Sequence, residues 1–574
     1  MAHEHERARG DLLAWQTAQP SNFYIATPQL RRLLHRLMGA ERLGAAEEHL
    51  ARFGAVVAGP LDEAATVNNR PWNLPRFEGW SPLGERTDAI EHHPSNDACG
   101  RHIYHDGRVI AVYANPPANL HAQALFYLSS HAGEAGHNCP VACTAGLVKS
   151  LQAVASPELR ERWLPGVLSD AWPGRLDGAQ FLTELQGGSD VGANAVVAVA
   201  DGEEYGTTRW RLSGEKWFCS NADADLFVIT ARVDGGRLGT AGLGLFLVPR
   251  LLNGRPNGHR LRRLKDKLGT RSMPSGEIDF DGAVGWALGD VCDGFKNVMT
   301  HVINTSRLYN TVGCAGIARR AHLVAAGYAA ARRAFGSPIA AYPMVQEMLA
   351  STFATSAAVL AGSLELAALT DRAESGALNP SESAFLRVAT NLAKMRSCQH
   401  SHRVVLTAIE VLGGNGAIES FSILPRLLRD NVVYENWEGT HNTLVAQTVR
   451  DFQRHRMHEG LLAGLRERLS TDGRLAGALQ PAVESVDRAE DAIREVLGVG
   501  DHGVAGLMLK PHAEALADAF FAAAWAADIA SETSESRRDA ETEALRFYCE
   551  HTLSPVRPPR TAAYAAAVGR VATL

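Results

Sequence analysis

The chain has 574 residues, 46% of them apolar and 21% charged, with a formal net charge of −6. That length exceeds one ordinary core and calls for roughly three or four domains, and the slightly acidic balance gives no global pull toward nucleic acid or an anionic membrane. No run approaches the ~20 apolar residues a membrane helix needs, and the start, Met1-Ala2-His3-Glu4-His5-Glu6, is too polar for a signal peptide, so the expected location is the cytoplasm.

Residues 1 to about 175 read as helix broken by loops. Leu30, Leu33, Leu34, Leu37 and Met38 recur at helical spacing, and a loop rich in Pro, Asn and Trp follows around Asn68-Asn69-Arg70-Pro71-Trp72. The period changes from about 178 to 288. Apolar runs at 225–232 and 243–248 are bounded by Gly, Pro and charged residues, and Trp210 and Leu212 alternate with Arg209 and Arg211, the pattern of a half-buried strand. After Gly294 helices return. An Ala-rich stretch over 307–333 stops at Phe335-Gly336-Ser337-Pro338; a second opens at Asn379-Pro380-Ser381-Glu382, with Ser381 as its expected cap, and runs to Gly413-Gly414. A third starts after Gly439 and carries Leu444, Val445 and Val449, and 451–574 is Ala-rich and helical, entirely apolar over 520–527. The order predicts an α+β protein: an N-terminal helical domain (1–177), a β domain (178–288), a helical bundle (289–450) and an additional helical domain (451–574).

Eight cysteines, at 99, 139, 143, 219, 292, 314, 398 and 549, show no C-x2-C spacing. Cys139 and Cys143 could lie one helical turn apart with His137 close by, but no second pair completes a ligand set, so they read as reduced structural thiols with no metal. The groups His92-His93 and His400-Ser401-His402 have no carboxylate or cysteine pattern beside them and read as surface or packing residues.

Three stretches carry chemistry. In Phe181-Leu-Thr-Glu-Leu-Gln-Gly-Gly-Ser-Asp190 a strand is expected to end at Thr183-Glu184, leaving the N–H groups of Gly187 and Gly188 and the Ser189 hydroxyl open to a phosphate or a flavin edge; Gly-Gly-Ser-Asp is equally good turn chemistry. In Leu212-Ser-Gly-Glu-Lys-Trp-Phe-Cys-Ser-Asn221, an aromatic with a hydroxyl two residues on could back a flat heterocycle, and core packing would explain Trp217 or Phe218 as well. The third runs from Glu410 to Asn442. Its Glu438 stands between Trp437 and Gly439 just before a helix. A carboxylate desolvated by an aromatic wall becomes a stronger base, whereas a surface glutamate at a helix N-terminus would answer the dipole.

Together these stretches resemble the acyl-CoA dehydrogenase superfamily over roughly residues 60–450. Thr183-Glu184 with Gly188-Ser189-Asp190-Val191 is similar to its T-E-x-x-x-G-S-D-V loop, and Lys216-Trp-Phe-Cys-Ser-Asn221 to its K-x-W-I-[TS]-N strand, with Phe218 where Trp is common. Arg332-Arg-Ala-Phe-Gly336 with Gln346 resembles its R-x-x-F-G…Q segment, and Gly413-Gly-Asn-Gly416, Arg429-Asp430 and Glu438-Gly439-Thr440 its C-terminal signature. The resemblance implies an N-terminal helical domain, a middle β-barrel or sheet domain, a C-terminal four-helix bundle and FAD. Leu182, Thr183, Gly188, Ser189, Phe218, Cys219 and Ser220 would hold the isoalloxazine, with Ser220 near N5. Arg332, Phe335 and Gln346 would contact the FAD of a neighbouring subunit, implying a homodimer or tetramer. Gly413, Gly414, Thr440 and Asn442 would line the adenosine and pyrophosphate path, with Glu410 as a further cofactor contact. Glu438 would take the α-proton of an acyl-CoA while the β-hydrogen leaves as hydride to N5, and Ser189, Arg307, Trp437 and Gly439 would contact substrate. Some branches place the base on the helix that here carries Arg307, but the preceding residue is Ser306, which leaves the role to Glu438. An electron-transfer flavoprotein is the kind of acceptor implied.

Gly84-Glu-Arg-Thr-Asp-Ala-Ile-Glu-His-His-Pro94 is similar to the G-R-R-x-D-x-[VI]-x-x-H-P stretch of the AidB subfamily, and 261–272 and Glu410 fit that branch. Such proteins carry an extra C-terminal helical domain that presents a basic surface to duplex DNA. Here residues 441–574 hold 15 Lys plus Arg against 19 Asp plus Glu, a net −4. DNA affinity depends on phosphate neutralisation, so DNA is possible but not favoured unless Arg454, Arg456, Arg466 and Arg468 form a stripe. The leading expectation is a flavin dehydrogenase of a fatty or bulky acyl-CoA. The alternative is a DNA-associated flavoprotein that protects against alkylation damage with little turnover, and a flavin monooxygenase is a weaker third.

Overall fold

The computed structural model describes residues 2–471 and 473–574, the side chains of 2–4 excepted, so Met1 and the polar side chains beside it lie outside the described residues. The chain forms two compact units, one of Pro60–Ala118 and Glu134–Tyr309, the other of Met1–Gly59, Asn119–Gly133 and Asn310–Leu574. The segment 1–177 is thus shared between them. One reason is local: helix α1 (Asn119–Ser130) is tied to a helix of the second unit by Asp371, whose carboxylate accepts from Asn119 N (2.8 Å), Asn119 Nδ2 (2.9 Å) and Leu120 N (3.1 Å).

The β-containing unit has a hairpin, β1 (Arg76–Trp80) with β2 (Arg86–Glu91), inside the stretch that its sequence predicts as helix and loop. It is fastened by a strand distant in sequence: Arg86 Nη2 donates to Leu261 O (2.8 Å) and Leu261 N to Asp88 Oδ1 (3.2 Å). The main sheet comprises β3 (Gly178–Phe181), β4 (Val197–Glu204), β5 (Thr207–Ser220), β6 (Leu226–Val233), β7 (Leu243–Pro249), β8 (His259–Leu264) and β9 (Ser275–Ala287). Its pairings β9–β5–β4–β6–β7–β9 close a ring, with β8 on β9, and β6 runs parallel to β3 and β4. A closed ring leaves its member strands no free edge. All of β7 and most of β6 are buried, so their sequences read as unbroken apolar runs. In β5 Trp210 and Leu212 face the core beside Phe246, while Arg211 turns out to Asp201 (2.9 Å).

The other unit is helical. Its bundle contains α2 (Asn304–Ala331, which begins in the first unit), α3 (Pro343–Glu374), α4 (Pro380–Leu412), α5 (Leu424–Asn436) and α6 (His441–His455). Ile317, Ala321 and Val324 of α2, Val404, Val405 and Ala408 of α4, and Leu427 and Tyr434 of α5 share one core. The expected Ser381 cap is wrong. Asn379 caps α4, its side chain accepting from Glu382 N while Glu382 accepts from Asn379 N, because Pro380 takes the first helical position and puts Ser381 inside the helix. α3 is long and apolar enough to cross a membrane, but 89% of its apolar window is buried inside the protein, as in a core helix.

Beyond α6, the helices α7 (His502–Ala530), α8 (Glu535–Thr552) and α9 (Ala562–Val571) pack on this bundle. The apolar stretch of α7 is buried over 520–526, with Phe521 filling the space above Gly362, where a Cβ would come within 2.3 Å of its ring. A polar core joins the layers. Asp518 of α7 accepts from Arg396 Nε (2.9 Å) and Nη2 (2.8 Å) of α4 and from Tyr548 Oη of α8 (3.0 Å), and meets His400 Nε2 of α4 at 2.5 Å. His400 therefore has the carboxylate that its own sequence neighbourhood lacks. So do His402, paired with Glu435, and His92, paired with Asp223 at 2.8 Å.

Three of the four C-terminal arginines are engaged within the chain. Arg456 pairs with Glu459, Arg466 with Glu490 and Asp487 (2.9 Å), and Arg468 packs its guanidinium on the Phe385 ring 4.3 Å away; Arg454 stays exposed. Seven of the eight cysteines are buried and Cys292 is exposed; Cys314 of α2 and Cys398 of α4 meet at 3.6 Å between sulfurs. Among the described residues no His, Cys, Asp and Glu group is placed to hold a metal ion, and His137 is bonded to Asn96 O (2.8 Å).

Candidate active site

In the β-containing unit the loop after β3 is pinned to β5 by a buried ion pair. Lys216 Nζ lies 2.8 Å from Glu184 Oε1 and donates to Leu182 O (3.2 Å), while Trp217 N donates to Thr183 O (2.9 Å). Burial alone would raise the Glu184 carboxyl. The Lys216 ammonium and the Ala195 N–H outweigh it and hold the group below the usual carboxylate range. Two details depart from the sequence. β3 ends at Phe181, not at Thr183-Glu184, and the Gly187 N–H is used by Glu184 O (2.9 Å) in a turn, because Glu184 and Gly187 form a local bridge. Gly188 is required for another reason: a Cβ there would meet Thr183 Oγ1 at 2.5 Å. The Leu182 carbonyl also takes Asn194 Nδ2 (3.0 Å), so its main-chain oxygen is spent inside the loop. Ser189 is exposed.

The register of β5 on β9 sets Lys216 opposite Ile278 and Cys219 opposite Gly276, so Trp217 and Phe218 together oppose Glu277. Such a bulge re-aims side chains, and Lys265 Nζ lies 3.6 Å from the Trp217 centroid and 4.7 Å from that of Phe218. Phe218 remains 50% exposed, a flat apolar surface at the strand end. Ser220 Oγ meets Ser275 Oγ at 3.1 Å. Cys219 is not a side-chain contact: its thiol is turned into the barrel core toward Lys216 O (3.5 Å), and burial pushes its pKa up. Arg307 is buried in the first turn of α2, beside Ser306, whose hydroxyl is bonded to Gln180 (3.1 Å).

In the helical unit Glu438 occupies the three-residue connection between α5 and Thr440, the residue preceding α6. It is half-buried, at φ +55, and Gly439 follows at φ +104. A glutamate in the left-handed region costs on the order of 1 kcal/mol, so its surroundings must hold it there. Lys394 of α4 does so. This wholly buried lysine donates to Glu435 O (3.1 Å) and Gly439 O (3.0 Å), one carbonyl on each side of Glu438. Glu435 is fixed in turn by His402 and by His441 at 3.4 Å, contacts that hold its carboxyl below the usual range although burial would raise it. Trp437 leans on Tyr434, ring centroids 5.0 Å apart. The sequence gives no role to Lys394; a lysine on the core face of a long helix was the signal available. Lys394→Met is expected to destabilise the fold by about 1–3 kcal/mol, since two carbonyls lose a charged donor, and to slow flavin reduction at least about tenfold as the turn relaxes. Urea unfolding and single-turnover kinetics on one preparation would check both.

The remaining residues fall in two places. Thr440 and Asn442 open α6, where the Thr440 side chain bonds Thr443 Oγ1 (3.0 Å) and caps no amide, and Asn442 Oδ1 accepts from Lys510 Nζ of α7 (3.0 Å). Gly413 follows the end of α4, 19 residues beyond Lys394 and about 28 Å away at 1.5 Å per residue, with Gly414 next and Glu410 one turn earlier. They adjoin the end of α2 instead: Asn415 Nδ2 donates to Tyr328 Oη (3.0 Å), and Arg332 N to Tyr328 O (2.8 Å). Gly413 and Gly414 thus stand beside the end of α2, and Thr440 and Asn442 at the start of α6. Phe335, at φ +50, is 97% exposed on the tip after α2, and Gln346 is bonded to Ala340 O (3.0 Å) beneath α9, where a Cβ on Gly569 would lie 3.1 Å from its oxygen.

Comparison with known proteins fits this anatomy. Family profiles described as the adaptive response protein AidB N-terminal domain, the acyl-CoA dehydrogenase middle domain and the acyl-CoA dehydrogenase C-terminal domain match residues 16–173, 179–283 and 292–452. The chain belongs to the acyl-CoA dehydrogenase family, in its AidB-like branch. It is 32% identical to the putative acyl-CoA dehydrogenase AidB of Escherichia coli (strain K12) over 75% of this chain and 78% of that one. It is 28% identical to acyl-CoA dehydrogenase family member 11 of Caenorhabditis elegans over 93% of this chain and 88% of the relative. The structure of Caenorhabditis elegans ACDH-11 in complex with C11-CoA is similar at a TM-score of 0.82 and 25% identity, covering 92% of this chain and 91% of that one.

The family is FAD-dependent, and the residues present fit that group. Phe218 offers an exposed aromatic plane, Thr183, Ser189 and Ser220 supply hydroxyl groups suited to a polar ring edge, and Gly188 leaves room that any side chain would fill. Gly413 sits at φ +61 with nothing within 4 Å of a Cβ, an open backbone face.

Proposed function

We propose that this protein is a FAD-dependent acyl-CoA dehydrogenase in which Glu438 removes the α-proton of a fatty or otherwise bulky acyl thioester. The observation that carries the reading is the clamped, left-handed placement of Glu438: a half-buried carboxylate on a turn that Lys394 fixes from both sides. FAD, when bound, supplies the acceptor for the β-hydrogen as hydride. The residues have separate tasks. A carbon-bound α-proton is weakly acidic, so the carboxylate needs hydrogen bonds to the thioester oxygen that strengthen as charge develops there, and the main-chain N–H of Glu438 is the donor we assign. Trp437, Gly439, Ser189 and Arg307 would contact the substrate. Leu182, Thr183, Gly188, Ser189, Phe218 and Ser220 would hold the flavin ring, and Thr440 and Asn442, at the uncapped start of α6, its pyrophosphate.

Exposed Phe335 and Met344, 97% and 80% accessible, support a homo-oligomer in which Arg332, Phe335, Gln346, Gly413 and Gly414 serve the FAD of a neighbouring subunit. The relative crystallised with C11-CoA supports an acyl-CoA of that kind as substrate. An electron-transfer flavoprotein as acceptor and the cytoplasm as location complete the proposal. The DNA-protecting alternative gains nothing from the C-terminal arginines, three of which are engaged within the chain. Anaerobic mixing with a panel of acyl-CoAs tests the reading. Bleaching of the flavin by one or more of them is expected. A protein that no thioester bleaches, yet that shifts duplex DNA in a salt-dependent manner, would be the alternative.

A further inference from the structure

We infer that Lys267 is a positioning residue for the flavin edge, acting through Ser275 to fix which way the Ser220 hydroxyl donates. The inference rests on the assignment of Ser220 to the flavin edge and adds two residues that the sequence motifs leave without a role. Lys267 Nζ lies 2.9 Å from Ser275 Oγ, 3.2 Å from Thr270 Oγ1 and 2.8 Å from Met273 O. An ammonium has no lone pair, so Ser275 Oγ accepts from it whatever else Lys267 binds. The single proton of Ser275 then has Ser220 Oγ, 3.1 Å away, as its partner, and Ser275 is almost wholly buried, where a hydroxyl that donates to nothing is costly. Ser220 thus accepts from Ser275 and keeps its own proton for a third group. The chain of polarity runs one way, from cation to Ser275 to Ser220, and each bond strengthens the next.

A purely structural account of Lys267 is available: it staples the turn in which Thr270 sits at φ +51. That explains the bonds to Thr270 and Met273 but not the third, to a residue of the next strand. β9 begins at Ser275 directly opposite Ser220 at the end of β5, so the two hydroxyls share a rung by register. The neighbouring lysine, Lys265, is occupied differently, by Glu277 (2.8 Å) and the two aromatic rings, so the two lysines divide the plane and the edge of the platform between them.

The test is the two-electron reduction potential of the FAD-loaded full-length protein, with the FAD dissociation constant and melting temperature of each variant. Ser220→Ala, Ser275→Ala and Lys267→Met are each expected to lower the reduction equilibrium constant about tenfold, about 30 mV for a two-electron couple. The Lys267→Met, Ser275→Ala double variant should go no further than either alone, and Lys267→Arg should restore most of the shift. A shift in Ser220→Ala with none in Ser275→Ala overturns the relay and leaves the assignment of Ser220 standing, even if Lys267→Met shifts, since the cation would then act directly. No shift in Ser220→Ala overturns both. Should Lys267→Met fail to fold or to hold FAD, Ser275→Ala, which keeps the cation and the turn, decides the matter alone.

Discussion

The Glu438→Gln protein should keep its FAD and its fold, and lose between about 10² and 10⁴ of the rate at which an acyl-CoA bleaches the flavin. Glutamine matches glutamate in size and keeps the left-handed turn equally strained, so the loss isolates basicity from shape. Glu438→Asp separates the two differently. Aspartate tolerates φ +55 at least as well, but its carboxylate ends one methylene short, and a displacement of about 1 Å in a positioned base can cost on the order of 10² in rate. Anaerobic stopped-flow with one responsive thioester would measure both. A Gln variant that reduces its flavin at the parent rate would mean another group takes the proton.

The largest effect on stability is expected at Asp518, far in sequence from every motif. Asp518→Ala leaves buried Arg396 with only the more distant Glu514 carboxylate (3.7 Å) as a charged partner and removes a partner from His400 and Tyr548, so a loss of about 3–5 kcal/mol is expected in denaturant unfolding. Replacing Arg396 and Asp518 together by apolar residues of similar size should recover much of it, because no buried charge is then left unpaired. The same cluster sets a pH dependence. Burial, helped by Arg396, holds His400 below its ordinary value in spite of Asp518, so the unfolded chain takes up that proton first. Stability from this group is present above about pH 6.5 and is lost as the pH falls below it. Asp518 adds a second loss at lower pH: Arg396 and His400 outweigh its burial and depress its pKa, so its contribution is complete above about pH 4 and fades below that. Unfolding midpoints followed from pH 8 down to 4 should therefore decline, and a flat profile above pH 5 would show that His400 is not held neutral.

What the sequence by itself determined is much of what depends on near neighbours, although the Asn379 cap and the β1–β2 hairpin, both local, were not read from it. The strand platform is legible because 216–220 lies on one strand, and the turn carrying Glu438 because Gly439 follows it and a helix starts after it. The apolar runs at 225–232 and 243–248 marked strands and 451–574 read as helical, as the structure has them, and the acidic balance of 441–574 already weakened the case for DNA. What only the tertiary structure decided is which distant groups meet. Lys394 is 45 residues from the carbonyl of Gly439, His400 is 118 from Asp518, and Arg86 is 175 from Leu261, and nothing local announces any of these partners. Gly413 and Thr440 stand in one signature in the sequence, yet the length of α4 puts the glycine about 28 Å beyond the lysine that holds the Glu438 turn, since a helix converts residue number into length without regard to motif. Local pattern fixes an element and the residues it displays; the partners of a buried charge are fixed by packing, because only a completed interior makes an unpaired charge too costly to keep.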